Sequence, residues 1–351
     1  MEPERRITIA PLTPELLPSM RRFSEVYWRR PTSEEFYDWR YVQPAAFVRT
    51  FIALRGDECV GTLSAMRKSY LLNGERISCL ETFDWHALEE VRSAGVGVRL
   101  MRAMMRQPER IIGVGGTNDV ITALPLMGWQ HLGIAQAYEV LVGTEIISER
   151  LERSRKVPRG LTRAILSPVP PSVFGPKRVR RPAGGEVRVV EQPSDELVEL
   201  YRGETGRDLV QVPDLEVLRW MTRNRWGGTL RFVHFLLDGR LRGWALTRVH
   251  SGNHGLQGTL VELFAPSPDA ELYRWMVSEA AVSLLAARPR RIVARAFDPL
   301  LQRAIAEAGF RHAGSDAPAR TWPRFGDDQP RRLHLTLLHS DAPMTPYRTG
   351  S

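Results

Sequence analysis

The residues best suited to chemistry lie in "VRSAGVGVRLMRAMM", which begins at Val91 and contains the run Arg92-Ser93-Ala94-Gly95-Val96-Gly97. It separates a strand-like segment from a helix expected over Val98 to Met105. Glycines at 95 and 97 let a backbone turn tightly and come close to a ligand. The free N–H groups of a helix's first turn then point at that ligand. Such an end favours an anion, because the helix dipole adds to the donors and Arg92 adds a full positive charge. Diphosphate is the first candidate. The plainer reading is a tight turn and nothing more, and a lone G-x-G does not decide between them.

Other signals carry less. "GVGGTND" at Gly113 follows a strand but lacks the G-x-G-x-x-G spacing of a dinucleotide site. His250 and His254 in "HSGNHG" have an H-x3-H spacing with no further ligands, which reads as a surface loop rather than a metal centre. No metal is expected. His131 and His312 recur at equivalent places and suit hydrogen bonding within the fold. Cys59 and Cys79 sit in strand-like runs without a C-x-x-C or Cys/His pattern, so buried thiols are favoured over a nucleophile.

The elements that position the loop can be read from periodicity. Leu16, Met20, Phe23 and Tyr27 share a helical face. "VRTFIAL", "CVGTLSAMRKSYLL" and "ERISCLETFDWHA" read as three strands of an antiparallel meander, with Asn73-Gly74 as a hairpin turn. After the loop come the helix, a strand at Arg110 to Val114, a helix over Asn118 to Met127 and a strand around Ala135 to Val142.

The same order then repeats. "GWQHLG" at Gly128 returns as "GFRHAG" at Gly309, a shift of 181 positions that also carries Trp39 onto Trp220, Phe51 onto Phe232 and "LETF" at Leu80 onto "VELF" at Val261. A period this long marks whole duplicated domains rather than a solenoid. The expected division is a first domain at 1–149, a basic Pro/Gly-rich linker at 150–187, a second domain at 188–340 and a tail at 341–351. Each domain is expected to be a mixed α/β (α+β) unit, a mostly antiparallel mixed sheet flanked by helices.

A chain of 351 residues with 43% hydrophobic content suits two such cores. The net charge of +9 is concentrated between Arg150 and Arg188, where eleven Lys or Arg face two acids. The remainder is formally neutral. A solvated connector is favoured over an electrostatic contact with an acidic partner, a membrane surface or nucleic acid, and with no zinc spacing and no aromatic platform beyond Phe174 a nucleic-acid reader is the weaker reading. No apolar run is long enough for a membrane span, and the start "MEPERRITIA" lacks a leader's apolar core. The expected location is the cytoplasm, as a monomer or homodimer.

Arg92 to Gly97 fits R/Q-x-x-G-x-G/A and in this respect resembles the acetyl-coenzyme A loop of GNAT-family N-acetyltransferases. The order of elements, and "LPLMGW" at the end of the later helix, are similar to that family too. The resemblance covers about Ile7 to Val142 with the loop and about Arg188 to Gly314 without it. It implies that acetyl-CoA is held as a co-substrate by Arg92, Ser93, Ala94, Gly95, Val96 and Gly97, and that its acetyl group passes directly to an amine acceptor. It further implies backbone donors near Ala87 and Leu88 for the thioester carbonyl. Asn118 would either touch the pantetheine arm or cap its helix. Glu81 stands where several members carry a base; Asp84, three residues on, faces the other side of a regular strand. The tyrosine that often protonates the departing thiolate is replaced by Leu124, and Tyr138 is the substitute at hand.

In the second copy the loop positions hold Tyr273, Met276 and Ser278. Ser267-Pro268-Asp269 reads as an earlier helix start. The second copy therefore reads as a degenerate domain that keeps the fold and not the cofactor loop. Two other functions stay open: a non-catalytic protein that binds CoA or an acyl carrier as a regulator, and an aminoacyl transferase on a duplicated fold.

Overall fold

The computed structural model of the chain describes residues 6–29, 33–142 and 175–339, except 205, 225, 253–254, 267–268 and 327–328. Most of the linker expected at 150–187, the tail at 341–351, and His254, Ser267 and Pro268 lie outside the described residues. In chain order the elements are β1 (Ile7–Pro11), α1 (Leu17–Trp28), α2 (Glu34–Tyr37, running into a π turn Asp38–Val42), β2 (Val48–Arg55), β3 (Glu58–Leu72) and β4 (Glu75–Ala87). Then come α3 (Val96–Met105), β5 (Arg110–Val114), α4 (Asn118–Leu126) and β6 (Gln130–Leu141). The second repeat gives β7 (Gly185–Val190), α5 (Glu196–Glu199), β8 (Leu209–Val212), α6 (Leu215–Thr222), β9 (Thr229–Leu237), β10 (Arg240–Gly252) and β11 (Gly255–Phe264). It ends with α7 (Ala270–Leu284), β12 (Arg291–Ala296), α8 (Pro299–Glu307), β13 (Arg311–His312), β14 (Ala317–Trp322) and β15 (Leu333–His334).

The repeat seen in the sequence is a repeat of elements. β5 and β12 begin at Arg110 and Arg291, and α4 and α8 run over Asn118–Leu126 and Pro299–Glu307, each pair 181 positions apart. Hairpin turns recur as well: Asn73-Gly74 and Asp238-Gly239 both have positive φ at their two central residues. That is the twist a two-residue turn needs to match right-handed strands.

Two compact units result. The first comprises Met1–Gly133 and Pro318–Pro330, the second Ile134–Ala317 and Arg331–Ser351. These are not the 1–149 and 188–340 expected from the sequence. In the first unit the strand order is β1-β2-β3-β4-β5-β14, antiparallel except for β4 with β5. In the second it is β7-β9-β10-β11-β12-β6, antiparallel except for β11 with β12. Each sheet is thus closed by the strand that ends the other repeat. Duplicated strands present the same edge, so either can complete either sheet, and a sequence repeat does not say which one does.

In the first unit α3 covers one sheet face, seating Val96, Leu100 and Met104 against Ala53, Leu63, Leu80 and Ile111. On the other face α1 places Met20 and Phe23 against Ile52 and Cys59. Each of the larger apolar side chains contributes roughly 1.5–3 kcal/mol on burial. The second unit is built alike, with Trp275, Met276 and Ala280 of α7 packed among Phe235, Leu260 and Ile292.

Candidate active site

After β4 a single 3-10 turn, Glu89–Val91, leads into the loop. Ala94 N–H then bonds Val91 O at 3.2 Å and Gly95 N–H bonds Arg92 O at 3.0 Å. Gly95 has φ 67° and stands at the head of α3, which has no side-chain cap. The two glycines serve different needs. A Cβ at Gly95 would meet nothing within 4 Å, so its requirement is the left-handed conformation and the space above it is open. A Cβ at Gly97 would lie 3.3 Å from Trp85 Nε1, which donates to Gly97 O at 3.1 Å. The first N–H groups of α3, on Val96, Gly97 and Val98, have no intrahelical acceptor. Arg92, Ser93 and Ala94 are exposed around them, while the Val96 side chain is buried and offers only its backbone.

Beside the loop the sheet opens. The parallel pairing of β4 with β5 ends at Glu81 and Ile112, whereas β4 continues to Ala87. Leu88 N–H already bonds Val60 O at 3.0 Å, so the donor expected at Leu88 is taken. In an antiparallel ladder bonded and non-bonded residues alternate, which turns the N–H of Ala87 away from β3 toward the side where β5 has ended. Asn118 is the first residue of α4 and is exposed; the cap is Thr117, whose Oγ1 accepts from Val120 N–H at 3.5 Å. Leu124 is buried in the apolar cluster with Ile111 and Trp129.

The carboxylates are arranged by a β-bulge. Ser64 pairs with Phe83 but Thr62 pairs with His86, so β4 carries one extra residue there, and Asp84 has φ 49°. The regular alternation that would send Asp84 to the opposite face from Glu81 is therefore broken. Thr50 Oγ1 and Ser64 Oγ lie 2.8 Å apart on the α1 face, and Lys68, four residues along β3, shares that face and pairs with Glu81. Asp84 and His86 meet residues of the helices on the same face. Glu81 is 4% exposed and also accepts from the Tyr70 hydroxyl. Asp84 Oδ2 receives Arg40 Nε at 2.9 Å, Arg40 Nη2 at 2.8 Å and the Tyr41 hydroxyl at 2.5 Å. Burial alone would raise the Asp84 carboxyl, but Arg40, His86 and Tyr41 outweigh it and hold it below the ordinary value. Tyr41, by contrast, is pushed well up, by burial first and then by Asp84, and stays protonated.

Tyr138 belongs to the second unit, where it lies in the apolar core and its hydroxyl donates to Gln136 Oε1 at 2.5 Å. Arg40, Tyr41, Lys68 and His86 were not singled out from the sequence. A signal existed for Lys68: Ser64, Met66, Lys68 and Tyr70 alternate along β3, so a lysine stands in a buried register and needs an anion. Both cysteines are buried, and burial pushes their thiols up to about 12, which rules against a thiolate nucleophile. His250 is pushed down to about 4, by burial first and then by Arg248 and Arg291. Among the described residues no cluster of His, Cys, Asp or Glu could hold a metal ion.

No family model and no curated protein matches the sequence. Solved structures match in three dimensions. A GCN5-related N-acetyltransferase from Anabaena variabilis aligns with a TM-score of 0.60 at 10% identity, over 90% of this chain and 72% of that one. The fold is that of the GCN5-related N-acetyltransferases. A second such enzyme, from Kribbella flavida, gives 0.51 at 15% identity over 90% and 71%. Saccharomyces cerevisiae N-myristoyltransferase, solved with myristoyl-CoA, gives 0.57 at 10% identity over 90% and 82%.

Within this GCN5-related fold the second repeat has no loop at the corresponding place. α7 starts at Ala270, which corresponds to position 89 of the first repeat, so about two helical turns replace the 3-10 turn and the glycine turn. Its cap is Asp269, whose Oδ1 accepts from Glu271 N–H at 2.9 Å and Leu272 N–H at 3.1 Å. Tyr273, Met276 and Ser278 are all buried. Ser278 Oγ donates to Lys177 O at 3.1 Å, and the Tyr273 hydroxyl meets Arg207. Arg207 in turn pairs with Glu204 at 2.6 Å and Asp298 at 3.0 Å. Glu262, the counterpart of Glu81, accepts from Thr336 Oγ1 at 2.9 Å and lies 2.9 Å from His334 Nε2.

Proposed function

We propose that the first unit binds an acyl-coenzyme A and transfers its acyl group, acetyl in the simplest case, to an amine, and that the second unit binds no donor. The observation that carries this is the turn Arg92 to Gly97: an open left-handed glycine heads an uncapped helix beside a strand edge whose parallel partner has stopped. The N–H groups of Val96, Gly97 and Val98, with Arg92, would hold a diphosphate. Ala87 N–H, on the open edge, would meet a thioester carbonyl and stabilise the oxyanion as an amine nitrogen attacks its carbon. The C–S bond then breaks and the thiolate leaves. A thiol of pKa near ~8.5 departs without an acid at position 124.

The burial of Leu124 and the ion pairs around Glu81 and Asp84 favour a second reading, a regulator that binds the donor without turnover. One experiment separates the two. Intact protein is titrated calorimetrically with acetyl-CoA and then screened against amino sugars, small amines, antibiotics and peptide lysines for thiol release. The proposal expects one site per chain and acceptor-dependent thiol. Binding without thiol release across these classes supports the regulator, and absence of binding overturns both.

A further inference from the structure

On the reading of the first unit as an acyltransferase, we propose that His86 takes the proton from the acceptor amine and that Asp84 positions its ring. The bulge at Asp84 shifts the alternation of β4 so that Asp84 and His86 share the α1 face with Glu81, one step from the edge donor Ala87. The three groups on this face have different surroundings. Glu81 is buried against Lys68 and Tyr70, and protonating it would leave the Lys68 ammonium without its anion. Asp84 is enclosed by Arg40 and Tyr41, which hold its carboxyl below the ordinary range and make it a weak base. His86 differs from both, since 20% of its side chain reaches solvent.

The imidazole is also fixed in place. Its ring packs on Tyr27 with centroids 4.5 Å apart and meets Trp28 edge-on at 4.8 Å; Trp28 itself is 43% exposed. His86 Nε2 stands 3.9 Å from Asp84 Oδ1, while Arg40 Nε and the Tyr41 hydroxyl bond Asp84 Oδ2. Among the described residues, the charged and titratable groups near the ring include Asp84 from its own strand, Arg40 and Tyr41 from the turn after α2, and Tyr27 from α1, with Thr62 paired across on β3. Asp84 favours the imidazolium that forms when the proton arrives, and an imidazole is matched to proton transfer near neutral pH. In the step itself the neutral amine attacks the thioester carbon, a nitrogen proton passes to His86, the C–S bond breaks and the coenzyme leaves as thiolate. The imidazolium then releases its proton to water along the exposed side of the ring.

The test is a pH profile of kcat/KM, measured as thiol release, together with calorimetric affinity for acetyl-CoA. Native protein should lose activity on the acid side with a slope of one. His86→Gln should lose that limb, fall by roughly 10²–10⁴-fold in kcat, bind acetyl-CoA as before, and regain turnover with added imidazole. Asp84→Asn should move the limb to lower pH, because removing the anion makes the imidazole less basic. Retention of the limb in His86→Gln with kcat within about threefold of native would overturn the assignment alone. Native protein that binds no acetyl-CoA would overturn the acyltransferase reading and this inference with it.

Discussion

Glu81 and Glu262 occupy the same place in the two repeats and have comparable surroundings, whereas the segments that follow them do not. Each carboxylate is buried on the third strand of a meander and answered by polar partners: Lys68 and Tyr70 for Glu81, His334 and Thr336 for Glu262. After Glu81 the chain makes a glycine turn and an uncapped helix. After Glu262 it runs into a longer helix with an aspartate on its first N–H groups. The carboxylate is common to both repeats, and the part specific to the first unit is the turn. Buried carboxylates with polar partners recur in both repeats; of the helices α3 and α7 that follow them, only α3 starts without a side-chain cap.

The largest effect should come from breaking a buried ion pair. Arg207→Met leaves Glu204 and Asp298 facing each other without their cation, and Lys68→Met does the same to Glu81. Each should cost about 3–5 kcal/mol, or on the order of 10 °C in the unit's Tm, seen by scanning calorimetry. A loss below about 1 kcal/mol for Lys68→Met would break the parallel and release Glu81 from a structural role.

Smaller, and directed at the turn, is Gly95→Val. At φ 67° an L-residue is strained by roughly 1–2 kcal/mol, and its side chain would fill the open space above the helix end. Acetyl-CoA affinity should fall at least about tenfold by calorimetry, with circular dichroism unchanged. Met276→Leu, at the equivalent position of the second repeat, should leave affinity and a stoichiometry of one untouched. Equal losses from both variants would mean that both repeats take part in binding.

The turn was legible because its glycines, its arginine and the helix after it are local. So was the recurrence of elements 181 positions on, and the residues at the loop's counterpart, Tyr273, Met276 and Ser278, could be located because they fall at fixed distances from a conspicuous motif. What could not be read was anything set by pairing across strands. The bulge at Asp84 depends on its register with Thr62 and Ser64, and only that register places His86 on the same face as Glu81. The closing strands went to the opposite unit for a similar reason, since an edge says nothing in sequence about its partner. Leu88 looked like a free donor until Val60 was found to accept from it.

The smallest effect concerns the two helix starts themselves. Asp269 Oδ1 accepts from Glu271 and Leu272 N–H, the same class of donors that α3 leaves without a side-chain acceptor. Asp269→Ala removes that acceptor and should cost about 1 kcal/mol, a few degrees in the Tm of the second unit, with acetyl-CoA binding unaltered. Exposing the donors is not enough to make a site, because Leu272 and Tyr273 are packed into the core and the turn that would bring a phosphate to the backbone is absent. If Asp269→Ala instead added a second binding event in the titration, the two repeats would differ by one blocked helix end rather than by the loss of a loop.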